Sequence, residues 1–167
     1  MKYFPFEKLT FESNLSPEQI KVGLDKRVVS KTQNKGEMMP GYKSKPYVGY
    51  ITIDKFKINR IIRYQNSFKP FIKGTYNATG VGTQVKLTMQ MSTAVIIFSI
   101  IWLTGVSIGA LVSIVNLYTE ATFNAMHLIP FAMILLFYLL TTLCFKYESL
   151  KSIKHLEEWF EAKALQD

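Results

Sequence analysis

The chain of 167 residues carries 20 Lys and Arg against 12 Asp and Glu, with 49% hydrophobic and 14% aromatic residues and a mean hydropathy of +0.12. That length holds one ordinary domain, or a smaller one with membrane segments, and the aromatic content excludes a disordered chain. A single Cys excludes an internal disulfide, and with two His it leaves few ligands for zinc.

In chain order, residues 3–12 read as an aromatic-rich strand with Pro5 near its start. Ser16-Pro17-Glu18-Gln19 is a helix start: Ser16 caps, Pro17 suits the first helical position and Gln19 completes a capping box. Ile20, Leu24 and Val28 then recur at spacing four, which predicts a short amphipathic helix to about Val28. Residues 30–46 are polar, with Gly36, Pro40, Gly41 and Pro46, and predict a loop whose length is unusual for a compact domain. From Tyr47 the pattern changes to period two, predicting strands over 47–53, 56–64, 71–76 and 83–91, with a turn at Asn77-Ala78-Thr79-Gly80. In the last of these Val85, Leu87, Met89 and Met91 share one face, and an antiparallel meander with one covered face follows.

Two apolar runs come next, 93–118 and 128–145, and residues 93–145 contain no Lys or Arg and one acid, Glu120. About 20 apolar residues cross a hydrocarbon core of roughly 30 Å, so the first run is long enough and the second sits near the lower limit. Two adjacent helices that are apolar all round need more cover than the remaining chain can supply, which favours a membrane hairpin over a buried core. Both runs lie far from the amino terminus, unlike a cleaved leader. Residues 1–92 hold 16 of the 20 basic groups and a net charge of +10, the rest follow Phe145, and the connecting segment 119–127 has none. Basic flanks stay inside, so both termini are expected in the cytoplasm with only that loop outside. No linker separates the strand ending at Met91 from the apolar run, so the sheet should sit against the bilayer. In the tail, Leu150, Ile153, Leu156, Trp159 and Phe160 form a stripe opposite Lys151, Lys154, Glu157, Glu158 and Glu161, predicting an amphipathic helix packed on the open sheet face.

The expected architecture is a membrane α+β protein: an antiparallel β-meander with an N-terminal helix and a C-terminal amphipathic helix, interrupted by a two-helix transmembrane hairpin. Its parts are a basic cytoplasmic α+β domain (1–92), a first transmembrane helix (93–118), an external loop (119–127), a second transmembrane helix (128–145) and the tail helix (146–167). The expected place is the cell inner membrane, multi-pass with two spans.

Arg60 is the unusual position, since alternation puts it on one face with Phe56, Ile58, Ile62 and Tyr64. An arginine on an apolar face needs a carboxylate, a phosphate or water. An internal salt bridge is the plainer reading; a site for an anion or lipid headgroup, with Arg60 and Tyr64 as ligand-binding residues, is the sharper one. Lys57, Arg63, Lys69, Lys73 and Lys86 make the domain basic next to the membrane, and each such group adds about 1 kcal/mol of attraction to anionic lipid headgroups. Nucleic acid is not an expected partner, because no recognition helix or RNP-like motif accompanies the charge. Gly105 and Gly109, extended by Ser113, form a GxxxG pattern suited to close helix packing, either within the hairpin or as the seam of a homodimer. P-loop, GxSxG, dinucleotide, HExxH and CxxC motifs are all missing, so no cofactor, metal or catalytic residue is assigned and an enzyme is not expected.

The stretch Phe56-x-Ile58-x-Arg60-Ile61-Ile62-x-Tyr64-x-Asn66-Ser67-Phe68-x-Pro70-x-Ile72-x-Gly74, with Gly82-Thr83 before the membrane, resembles a pattern of small uncharacterised bacterial two-span membrane proteins. That resemblance covers about two-thirds of the chain and implies an architecture and a bacterial origin, with no established activity. The order of strand, short helix, strands and closing helix is also similar to helix-grip lipid-binding domains. The function expected first is non-enzymatic: an inner-membrane protein whose cytoplasmic domain binds an unknown protein partner or self-assembles, a role compatible with immunity or an accessory subunit. The alternative is a lipid or hydrophobic-ligand binding domain with Arg60 on an anionic headgroup. A cavity of several hundred Å³ beneath the tail helix would favour the ligand, and a filled core would favour the partner.

Overall fold

Alternation of covered and open side chains runs through β6 (Gly82–Gln90), where Thr83, Val85, Leu87 and Met89 are buried and Lys86 is exposed, and it sets the two faces of the sheet built around that strand. The computed structural model describes residues 5–30, 45–120 and 124–166. Most of the predicted loop 30–46, the start of the predicted first strand, Phe123 and the final residue lie outside the described residues.

The other elements are β1 (Phe6–Ser13), α1 (Pro17–Arg27), β2 (Val28–Ser30), β3 (Tyr47–Ile51), β4 (Lys55–Arg60), β5 (Phe71–Thr79), α2 (Thr93–Glu120), a 3-10 turn (Ala125–Leu128), α3 (Ile129–Phe160) and β7 (Ala164–Gln166). The chain is thus α+β, with three α-helices among the described residues, two of them long and apolar enough to cross a membrane. The capping box of α1 forms as expected: Ser16 Oγ accepts from the Gln19 amide at 3.3 Å and Gln19 Oε1 accepts from the Ser16 amide at 2.8 Å.

β3 to β6 form the expected antiparallel meander, but the sheet is larger and mixed, in the order β2-β3-β4-β5-β6-β1-β7. β1 runs antiparallel to the whole of β6, from Phe6 opposite Gln90 to Ser13 opposite Thr83. β7 adds to the far side of β1, and β2 follows α1 directly and pairs parallel with β3. Strand limits also differ from the expected ones. β5 continues to Thr79, leaving only Gly80 and Val81 between it and β6, whereas β4 stops at Arg60 instead of reaching Tyr64. The Ile61 amide still donates in register to the Pro46 carbonyl at 2.9 Å, and beyond it Asn66 Oδ1 accepts from the Phe68 amide at 3.0 Å, closing a local turn that competes with the ladder.

The predicted second span and tail helix are one helix. Phe145-Lys146-Tyr147-Glu148-Ser149 holds no Gly or Pro, so α3 keeps its backbone bonds for 32 residues, about 48 Å. It ends at Glu161, in the left-handed region at φ 50°. Only 11% of the most apolar stretch of α2, and the same share of α3, is buried within the chain. The second half of α3 lies with α1 on the inner sheet face, over a core that includes Phe11, Leu24, Tyr47, Ile58, Tyr76 and Phe160. Gly74 gives the Phe56 ring its seat there, since a Cβ at that position would stand 2.4 Å from the ring.

Candidate functional sites at the foot of the hairpin and on the open sheet face

Helical spacing turns Phe145, Glu148, Ser149, Ser152, Leu156 and Phe160 toward the sheet, and all six are buried. Glu148 is 0% exposed, so its carboxylate needs donors from the protein. Arg60 supplies one, with Nη1 2.9 Å from Oε2, and the Tyr64 hydroxyl donates to Oε1. Arg60 does share the inner face with Phe56 and Ile58, as alternation demands, but Glu148 occupies the position that a ligand's anion would need. Tyr64 reaches the same carboxylate from beyond the end of β4.

A second buried carboxylate, Glu7 of β1, also meets α3. Ser149 Oγ donates to Glu7 Oε2, and Lys146 Nζ lies 3.9 Å from Glu7 Oε1. Segment 61–70 is pinned nearby: Asn66 Nδ2 donates to the Cys144 carbonyl at 3.3 Å, and the Phe68 ring meets Phe137 edge-on at 6.3 Å. Between this segment, the start of α2 and α3 lies an open hollow of about 1090 Å³, with Tyr64 at its rim.

Higher on α3, the Tyr47 hydroxyl lies 3.3 Å from His155 Nδ1, and Trp159 packs against both rings. Burial pushes the Tyr47 phenol up, and it pushes His155 below its ordinary value, helped by the Arg60 charge and by Lys154 and opposed by Glu158. A histidine held neutral by the fold contributes stability that is present above its unfolded value near 6.5 and is lost as pH falls through the lower folded value. The denaturation midpoint should therefore drop as pH falls below about 6.5, and His155→Gln should flatten that part of the curve.

Among the described residues, no helix covers the outer sheet face. Cross-strand register puts Tyr50, Lys57, Lys73, Thr88 and Lys8 in one row over β3, β4, β5, β6 and β1. The next row holds Lys55, Thr75 and Lys86. These five lysines line a shallow concavity of about 610 Å³ that has no acidic side chain among its described lining residues. Lys57 and Lys73 are direct cross-strand partners, an arrangement that repels. Among the described residues none of the five makes an ion pair. The structure thus brings Lys57, Lys73 and Lys86 together with Lys8 and Lys55, which the sequence reading did not single out. Arg63 and Lys69 are elsewhere, in segment 61–70; Arg63 is exposed, and burial lowers the Lys69 ammonium pKa.

Of the small-residue pattern in α2, Gly109 approaches α3, where an added Cβ would lie 4.0 Å from Pro130, and Ser113 is half-buried. Gly105 is exposed and has no atom within 4 Å of that position, so the hairpin closes on the Gly109 side and through the Trp102–Phe137 stack at 4.5 Å.

Searches against protein-family models, curated proteins and solved structures return no match for this chain. Function must be read from the two surfaces themselves. Among the described residues there is no group of three or more His, Cys, Asp or Glu able to hold a metal ion.

Proposed function

We propose that the chain is a non-enzymatic protein of the bacterial inner membrane, whose α2–α3 hairpin spans the bilayer and holds the sheet domain at the cytoplasmic surface to dock an acidic protein partner. The lysine face carries this reading. A sheet gains nothing in its own stability from Lys57 opposite Lys73, and the pair has a use if a carboxylate-rich surface neutralises it. The hairpin supports the membrane part: β6 leads into α2, the second half of α3 packs on the same sheet, and β7 closes on β1, so both hairpin ends return to one domain. Basic groups flank both ends and the connecting segment 119–127 has none, which favours the cytoplasm for that domain.

The lipid-carrier alternative needs room beneath the closing helix. Tyr47, Phe56, Tyr76, Phe145 and Phe160 fill that space, and Arg60 is paired with Glu148. Titrating the full chain in neutral detergent with a Glu-rich peptide and with its Gln counterpart tests the docking reading. Only the Glu peptide should bind, more weakly at high salt, and Lys57→Glu/Lys73→Glu should lower its affinity by at least about tenfold. Equal binding of the Gln peptide, or an unchanged double variant, would remove the reading.

A further inference from the structure

The hollow at the foot of the hairpin changes chemistry along its depth. Val95 and Phe98 of α2 and Leu143 of α3 give it an apolar wall within the lipid-length runs. Gln65, Ser67 and Lys146 give it hydrogen-bond donors at the level where the helices meet the polar domain. Its outer wall is held in place, because Asn66 is bonded to the Cys144 carbonyl and Phe68 is seated against Phe137. Among the described residues Lys146 is the one charged side chain in the lining. Its ammonium stands 3.9 Å from Glu7, well beyond the roughly 2.7–2.9 Å of a charge-assisted hydrogen bond, so donors remain for another oxygen. Lys151 holds a further cation close by, 3.8 Å from the ring of Tyr147, which lines the hollow. The two carboxylates of this region are spoken for on the sheet side, Glu148 by Arg60 and Tyr64, and Glu7 by Ser149.

We propose that this hollow seats one anionic phospholipid of the surrounding bilayer, with its phosphate at Lys146, Gln65 and Ser67 and its acyl chains along Val95, Phe98 and Leu143. A lining with an ammonium and no carboxylate suits a headgroup of net negative charge better than one that carries its own ammonium. The volume of about 1090 Å³ takes a headgroup and the first part of its chains, and the rest continues down the open surfaces of α2 and α3. This inference rests on the membrane reading of the two helices. It places the lipid outside the sheet–helix core and away from Arg60.

The test uses the full chain reconstituted into vesicles of phosphatidylcholine with one fifth phosphatidylglycerol, floated on a density gradient, then extracted in mild detergent for native mass spectrometry. The expected result is flotation with the vesicles and one retained phosphatidylglycerol per chain. Ala94→Trp places a large ring at an exposed position of the lining and should abolish retention, whereas Ile101→Trp, exposed outside the hollow, should leave it unchanged. Lys146→Gln should lower the preference for phosphatidylglycerol over phosphatidylcholine by about fivefold, which keeps the test decisive if the tryptophan variant unfolds. A chain that does not float overturns the membrane reading and this inference together. A chain that floats, yet retains lipid equally in the wild type, Ala94→Trp and Lys146→Gln forms, overturns the lipid seat alone.

Discussion

Replacing Arg60 with Met should destabilise the domain by about 3–5 kcal/mol, because it strands a buried carboxylate. Glu148 is 0% exposed, and without the guanidinium the Tyr64 hydroxyl is the one hydrogen-bond donor left to its carboxylate among the described residues. Removing both charges is a different perturbation. Arg60→Met/Glu148→Leu should recover most of the loss, since an apolar pair of similar volume often replaces a buried ion pair at little cost. Tyr64→Phe should cost less than Arg60→Met, because it removes one hydrogen bond to the carboxylate from a residue that is itself half-exposed. Denaturation of the detergent-solubilised chain, followed by circular dichroism, gives the three values. A ligand-holding Arg60 behaves in the opposite way: Arg60→Met would leave stability intact, and the second substitution would rescue nothing.

The legible parts of this chain are those whose signal is local. The capping box at Ser16, the two uncharged runs and the alternation of β6 each need fewer than thirty consecutive residues to recognise. Arg60 was recognisable as misplaced on an apolar face and in need of a carboxylate, a phosphate or water, but its partner Glu148 lies 88 residues away and emerges only when α3 packs on the sheet. Three features were hidden because they depend on pairing across the chain. β2 and β7 have three residues each, too few for a pattern, and exist through their neighbours β3 and β1. The lysine face appears only when β1 returns beside β6, which brings Lys8 into line with Lys73 and Lys57. The tail misled for another reason: its buried face contains Glu148, Ser149 and Ser152, so hydrophobicity alone set the stripe too far round the helix, on Leu150.

That displacement of the stripe separates two substitutions that the sequence treats alike. Phe160→Ala should cost about 3–5 kcal/mol, and Leu150→Ala should stay within about 0.5 kcal/mol of the parent. Phe160 is 0% exposed, with its ring edge-on to Phe11 at 5.4 Å and tilted against Phe56 at 6.3 Å. Its carbonyl accepts from Ser13 Oγ at 2.5 Å, immediately before the chain reverses at Glu161 and enters β7. Truncation there opens a cavity under both the helix end and the sheet edge, so amide exchange in β7 and in the facing part of β1 should accelerate along with the fall in denaturation midpoint. Leu150 is 64% exposed and borders the hollow, so its loss removes little packing. Equal losses at the two positions would require α3 to be turned about its axis, and that rotation would also carry Glu148 away from Arg60.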